Sequence, residues 1–229
     1  MSDERPAALL AAVVFDFDGT LADTQIDFQG MRKNVVDVLK RVGAWDDALE
    51  GQRYILEMID AACLLAMRRG LDVDAVRQWA LAAAHEVEIE ACSVAPLCPG
   101  AADALRRLRD AGLMIGIITR NCQAGVDAVL SRHHLDVDIL IPREVAEAAK
   151  PNPAHLLQAL DLLGVSPARA AMVGDHVTDI QCAVQAGALP VAVAGASSSP
   201  EELSAEGAAF VATNLAEAVD FLLTRAAGA

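Results

Sequence analysis

The sequence is poor in aromatic residues, in lysine and in positive charge. Phe, Trp and Tyr together make up 3% of its 229 residues. That disfavours a β-sandwich, whose strands are rich in aromatic side chains, and favours tightly packed helices. There are 18 basic residues against 32 acidic ones, a net charge of −14. A sequence-independent grip on nucleic acid needs a basic surface, and an acidic one also repels anionic lipid. The longest apolar stretch, Ala7 to Phe15, is far below the roughly 20 residues of a membrane helix. Met1-Ser2-Asp3-Glu4-Arg5-Pro6 lacks a signal-peptide charge pattern. Cys63, Cys92, Cys98, Cys122 and Cys182 are scattered, with no Cys-x-x-Cys, and no His/Cys set has zinc-ligand spacing. The expectation is a cytoplasmic protein with reduced thiols, with neither nucleic acid nor membrane as partner.

What is present is apolar and aliphatic. The hydrophobic share is 54%, above the roughly 45–50% of ordinary domains. The length suits one large domain, or one domain with an insert. Val13–Phe17 is a short apolar run that stops at Asp18-Gly19-Thr20, and it reads as a buried strand entering a turn. Similar runs recur at Leu113–Thr119, Asp138–Ile141, Ala170–Gly174, Leu189–Ala194 and Ala208–Ala212. Helical patterns lie between them: Ala101–Ala111, Asn152–Leu163 and Asp179–Ala186 each end at a glycine in the helix-stop position. Continuous apolar strands alternating with helices predict a parallel sheet covered on both faces.

The stretch from Thr24 to Pro96 breaks that rhythm. Ile26, Met31, Val35, Val38, Leu39 and Val42 follow helical spacing. Tyr54–Arg69 predicts a second helix, and Asp74–Ala95 a third, capped by Asp72 or Asp74. A helical block inserted just after the first strand suggests a lid over the carboxyl edge of the sheet.

Ligands of open α/β sheets bind beyond the carboxyl ends of the strands. Asp16 and Asp18 end the first strand two residues apart, a spacing that turns both toward one side unless the turn intervenes. Thr119-Arg120-Asn121 leads into a helix start that favours an anion. Gly174-Asp175-His176-Val177-Thr178-Asp179 ends the fourth strand. Gathering Asp16, Asp18, Asp175 and Asp179 requires a neutralising cation, or protons. All-oxygen ligands suit a hard cation, and Mg²⁺ usually takes one or two carboxylates with waters and substrate phosphate. Lys150, one of only three lysines, lies between prolines and strand three in Lys150-Pro151-Asn152-Pro153, where it can neutralise both a carboxylate and a phosphate.

With Asp16–Thr20 continuing as Leu21-Ala22-Asp23-Thr24, and with Thr119, Lys150 and Gly174–Asp179, the chain resembles haloacid dehalogenase superfamily hydrolases. The nearest branch is the phosphoglycolate-phosphatase-like one, which carries a helical cap. Arg120 and His176 depart from the usual pattern. The resemblance implies a Rossmann-like parallel sheet with helices on both faces, formed by residues 1–23 and 97–229, and an all-helical cap of residues 24–96. It implies Mg²⁺-dependent hydrolysis of a small phosphorylated metabolite, phosphoglycolate-like or a sugar phosphate, by a monomer or homodimer. Asp16 would be the nucleophile and Asp18 the general acid and base. Asp16, the Asp18 carbonyl and Asp175 would hold the metal. Thr119 and Lys150 would bind phosphate, and Asp179 would position Lys150 or a metal-bound water. Arg120, Asn121 and the cap's Arg53, with Arg32 and Lys33, are candidates for substrate binding. A phosphosugar mutase shares all four motifs. A phospho-aspartate signalling switch shares the sheet and the aspartate, but Asp18 and the insert argue against it.

Overall fold

The computed structural model describes residues 9–227. Met1–Pro6, read above for a missing signal-peptide pattern, lie outside the described residues. The chain divides into two compact units: Ile26–Val94, and the residues on either side of it, through Gln25 and from Ala95 onward.

In the second of these, six strands are found among the described residues: β1 (Ala12–Phe15), β2 (Met114–Ile118), β3 (Ile139–Ile141), β4 (Ala170–Gly174), β5 (Leu189–Val193) and β6 (Phe210–Ala212). They form one sheet in the order β3-β2-β1-β4-β5-β6, every pair parallel. Phe15 lies opposite both Ile117 and Val173, which brings the carboxyl ends of three strands level. The strands are apolar throughout because both faces are covered. Ala12, Val14, Ile118 and Met172 pack with Leu156, Leu160, Cys182 and Ala183 of helices α6 (Ala154–Leu163) and α7 (Val177–Ala186). The alternate residues Val13, Phe15, Ile115, Ile117 and Val173 are equally buried. Helices α4 (Ala101–Asp110) and α9 (Leu215–Ala226) pack on each other and on strands β2, β5 and β6.

Several boundaries differ from expectation for local reasons. Strand β1 ends at Phe15 because the chain turns early: Leu21 and Ala22 N–H both reach the Phe17 carbonyl, and Gly19 takes a left-handed φ of 79°. Helix α7 starts at Val177 rather than Asp179, since His176 caps it: its Nδ1 accepts from Thr178 N at 3.1 Å, and Asp179 accepts from His176 N. Helix α5 (Gln123–Leu130) has the Cys122 thiol as cap, accepting from Gly125 N. Helix α8 (Pro200–Ala205) follows a Ser199/Glu202 capping box.

The unit Ile26–Val94 contains α1 (Phe28–Arg41), α2 (Ile55–Arg68), α3 (Val73–Val94) and a 3₁₀ turn at Asp47–Gly51, with no strand among its described residues. Asp72 caps α3 through Ala75 N at 3.0 Å. Met31, Val35 and Leu39 of α1 pack with Met58, Ile59 and Ala62 of α2 and Val76 and Ala80 of α3, the helical spacing made physical. Arg69 donates to the Gly43 and Trp45 carbonyls, and Arg32 to those of Glu50 and Gln52. No helix among the described residues is long and apolar enough to cross a membrane. None of the five cysteines is in a disulfide.

Candidate active site

The level carboxyl ends of β1, β2 and β4 bring Asp16, Thr119 and Asp175 to one edge, each the first residue past its strand. Two further elements close on them. The loop between β3 and α6 carries Lys150, and the first turn of α7 carries Asp179. The Lys150 Nζ lies 2.6 Å from Asp16 Oδ1 and 2.6 Å from Asp179 Oδ1, all three groups buried. Burial opposes a charge on Lys150, but Asp16 and Asp179 outweigh it and hold the ammonium above the usual lysine range. Asp16 also accepts from Phe17 N at 2.6 Å.

Asp18 is held differently. Its carboxylate accepts from the Thr24 hydroxyl at 2.9 Å, the Thr119 hydroxyl at 2.9 Å and Asn121 Nδ2 at 2.7 Å. No cation is among these partners. Thr119 completes the arrangement by accepting from Asn121 N. Asp175 accepts from Thr20 Oγ1 at 3.3 Å and from Ser197.

These environments set the charges. Burial pushes Asp16 up to about 6, Asp179 adds to it, and Lys150 pulls the other way. Burial and then the charge of Asp16 push Asp18 up to about 6, against its three donors. Asp175 is pushed up to about 6 by burial and by Asp16, tempered by Ser197, Lys150 and Thr20. Burial raises Asp179 as well, opposed chiefly by Lys150. Three buried carboxyl groups, Asp16, Asp175 and Asp179, thus share one lysine, with the half-buried Asp18 beside them.

That imbalance is the test of whether a divalent cation fits. Asp16, Asp175 and Asp179 each offer a carboxylate oxygen within 4.8 Å of the others, all buried. The donors are hard oxygens, and Lys150 alone leaves negative charge uncompensated; both facts suit a divalent metal ion. Two glycines make the packing possible. A side chain at Gly19 would put its Cβ 2.5 Å from Asp175 Oδ2, and one at Gly174 would run into the Asp179 carboxylate.

Other expected residues have contacts of their own. Asn121, expected at the substrate, has its amide nitrogen on Asp18 and its amide oxygen on Cys122 N. Arg120 is half-buried, and its carbonyl accepts from Arg143 at 2.6 Å. Arg53 belongs to the helical unit, where its guanidinium lies over the Tyr54 ring. His176 is turned onto its own helix as the cap. The reading of the sequence missed Thr20 and Ser197 as partners of Asp175, and it missed His155. Thr20 had a signal, a hydroxyl in the turn that follows Asp16 and Asp18; Ser197, four residues past β5, had none.

The family model for haloacid dehalogenase-like hydrolases matches residues 10–187. The phosphoglycolate phosphatase of Pseudomonas putida is 30% identical over 80% of this chain and 68% of its own. That of Rhodospirillum rubrum is 31% identical over 92% of this chain and 90% of its own. The crystal structure of a haloacid dehalogenase-like hydrolase from Bacteroides fragilis superimposes with a TM-score of 0.66 at 25% identity, covering 90% of this chain and 98% of that one. Strands, motifs and matched residues agree: the chain belongs to the haloacid dehalogenase-like hydrolase family.

Proposed function

We propose that this protein is a Mg²⁺-dependent phosphatase that hydrolyses a small phosphate monoester through an aspartyl-phosphate. The observation that carries the reading is the unequal treatment of two neighbouring carboxyl groups. Asp16 is paired with a cation, Lys150 at 2.6 Å, whereas Asp18 is held by three neutral donors. Two titratable groups in such different surroundings suit two different roles.

In the first half-reaction, an oxygen of ionised Asp16 attacks phosphorus and the ester P–O bond breaks. Asp18, held near 6, enters as the acid and gives its proton to the departing oxygen. In the second, Asp18 as carboxylate takes a proton from water. That water attacks the phosphorus, releasing phosphate and restoring Asp16. Lys150 keeps Asp16 ionised and draws the phosphoryl oxygens toward it. The Asp16 and Asp175 carboxylates and the Asp18 carbonyl would hold Mg²⁺, which supplies charge neutralisation on the transferring group.

The names of the relatives favour a phosphoglycolate-like ester, with a sugar phosphate next. The division into a catalytic core of residues 1–23 and 97–229 and a substrate-selecting cap of residues 24–96 is part of the proposal. So are the anion-binding roles of Arg120 and Arg53, and a cytoplasmic monomer or homodimer.

A panel of phosphorylated metabolites with Mg²⁺, read by phosphate release, tests it. Release from one class of ester, without any bisphosphate activator and lost in Asp16→Asn, is expected. Release from none overturns the reading, and transfer back to a sugar in place of water replaces it by a mutase.

A further inference from the structure

We propose that His155 is a positioning residue for Lys150, its neutral imidazole tying the lysine backbone to the carbonyl that also seats Thr119. The relation to catalysis rests on the function proposed above; the bridge itself rests on geometry. His155 is fully buried in the first turn of α6, five residues after Lys150. Its Nδ1 accepts from Lys150 N at 3.4 Å, and its Nε2 lies 3.1 Å from the Ile141 carbonyl at the end of β3. A backbone N–H can only donate, so Nδ1 carries no proton. The ring proton then sits on Nε2, where it is donated to Ile141. The same carbonyl accepts Thr119 N at 3.1 Å. One imidazole therefore links the lysine loop to strand β3 and, through Ile141, to the start of the Thr119 turn.

The surroundings favour this neutral form. Burial and then the charge of Lys150 push the imidazole down to about 4, so it is uncharged at neutral pH. The rest of the loop is braced separately. Asn152 N donates to the Ala149 carbonyl, and the Asn152 carbonyl accepts from His155 N and the Cys182 thiol. The peptide N–H of Lys150 is the point at which the imidazole acts. An apolar side chain of similar size would fill the space and leave that buried donor without a partner. Lys150 must reach Asp16 and Asp179 at 2.6 Å each, so a small backbone shift moves its ammonium off both.

Three variants separate the arms of the bridge. In His155→Asn the side-chain oxygen stands where Nδ1 stood; His155→Gln reaches only toward Ile141; His155→Leu keeps neither. For the folded enzyme with Mg²⁺, His155→Leu is expected to lose roughly tenfold to a hundredfold in kcat, the scale of a misplaced catalytic group. Its inhibition by inorganic phosphate should weaken by a comparable factor. His155→Asn should recover most of both, and His155→Gln should not. Equal kcat in the Asn and Leu variants, or losses that track melting temperature alone, would overturn the proposal. A long-range proton–nitrogen NMR spectrum of the wild-type protein is independent of any activity. A neutral ring protonated on Nε2 at neutral pH supports the bridge, even if no ester is hydrolysed and the proposed function falls. A proton on Nδ1 overturns it.

Discussion

The Thr119 hydroxyl donates to Asp18 Oδ2 at 2.9 Å, joining two neighbouring strand ends that lie 101 positions apart in the chain. The bond restrains a carboxyl group whose hydrogen-bond partners are Thr24, Thr119 and Asn121. It also explains how two aspartates two residues apart acquire separate chemistries. Asp16 is drawn to a cation, and Asp18 is turned onto hydroxyl and amide donors.

Asp16→Asn should remove turnover while keeping the fold. Amide and carboxylate are nearly isosteric, but the amide does not form an acyl phosphate. A fall of at least about 10⁴-fold in phosphate release is expected, the order seen when a covalent nucleophile is lost. Unchanged circular dichroism would show the fold intact; unchanged turnover would reassign the nucleophile.

Asp18→Asn should keep an amide oxygen for Thr24 and Asn121, with the Thr119 hydroxyl facing the new amide nitrogen, and so largely preserve the local structure. Steady-state turnover should drop by about 10²–10⁴-fold, the usual share of general acid–base catalysis. With p-nitrophenyl phosphate, whose leaving group needs no proton, a single-turnover burst should survive and then stall. Loss of the burst together with the steady state would place Asp18 in the first step for every substrate.

Lys150→Met leaves Asp16 and Asp179 buried without their shared cation. Removing one partner of a buried ion pair costs about 3–5 kcal/mol. Urea unfolding of the metal-free protein should show a loss of that order near neutral pH. The deficit should shrink toward about pH 5, as the stranded carboxylates take up protons. A deficit independent of pH would mean that the carboxyl groups are not the cause.

Asp16, Asp18 and Asp175 lie near 6, above the ordinary 3.8, chiefly through burial. Between those values the folded protein holds protons that the unfolded chain has released. Their contribution to stability is therefore present at low pH and lost as pH rises through about 6. A divalent cation binds the ionised groups. The rise in melting temperature on adding Mg²⁺ should accordingly be larger at about pH 7.5 than at about pH 5. Equal shifts at the two pH values would place the bound metal away from these carboxylates.

Much of this site is legible in the residues themselves, because like charges at strand ends demand a partner and Lys150 is one of very few lysines. The strands β2 and β4, buried but for Met114, are legible for a related reason: residues covered on both faces leave unbroken apolar runs. The direction of Asp18 is not legible. Strand alternation ends at Phe15, and the turn through Gly19 decides the rest. The start of helix α5 is legible after Thr119-Arg120-Asn121, but its extent is not: its cap is a cysteine and Gly125 lies inside it. Helix α9 does carry a signal, Asn214 with Glu217 three residues on, which the periodicity of its neighbours overshadows. His155 reads as an unremarkable histidine near a helix start, since its partners are backbone atoms of Lys150 and Ile141, which no side-chain pattern announces.

Strand β1 stands at the centre of the sheet, yet Ala12 pairs with Met114 on one side and Ala170 on the other. During synthesis it leaves the ribosome first and waits on the order of ten seconds for its first neighbour, at ordinary elongation rates. The intervening helices have their own core, and the segments flanking them meet where Ala22 bridges Leu97 and Asp23 N donates to the Pro96 carbonyl at 2.9 Å. Early folding of that insert would draw the two ends of a long loop together before β2 arrives, reducing the entropy lost when the strands join. A chain with the insert loosened should thus refold more slowly, even where its finished sheet is unchanged.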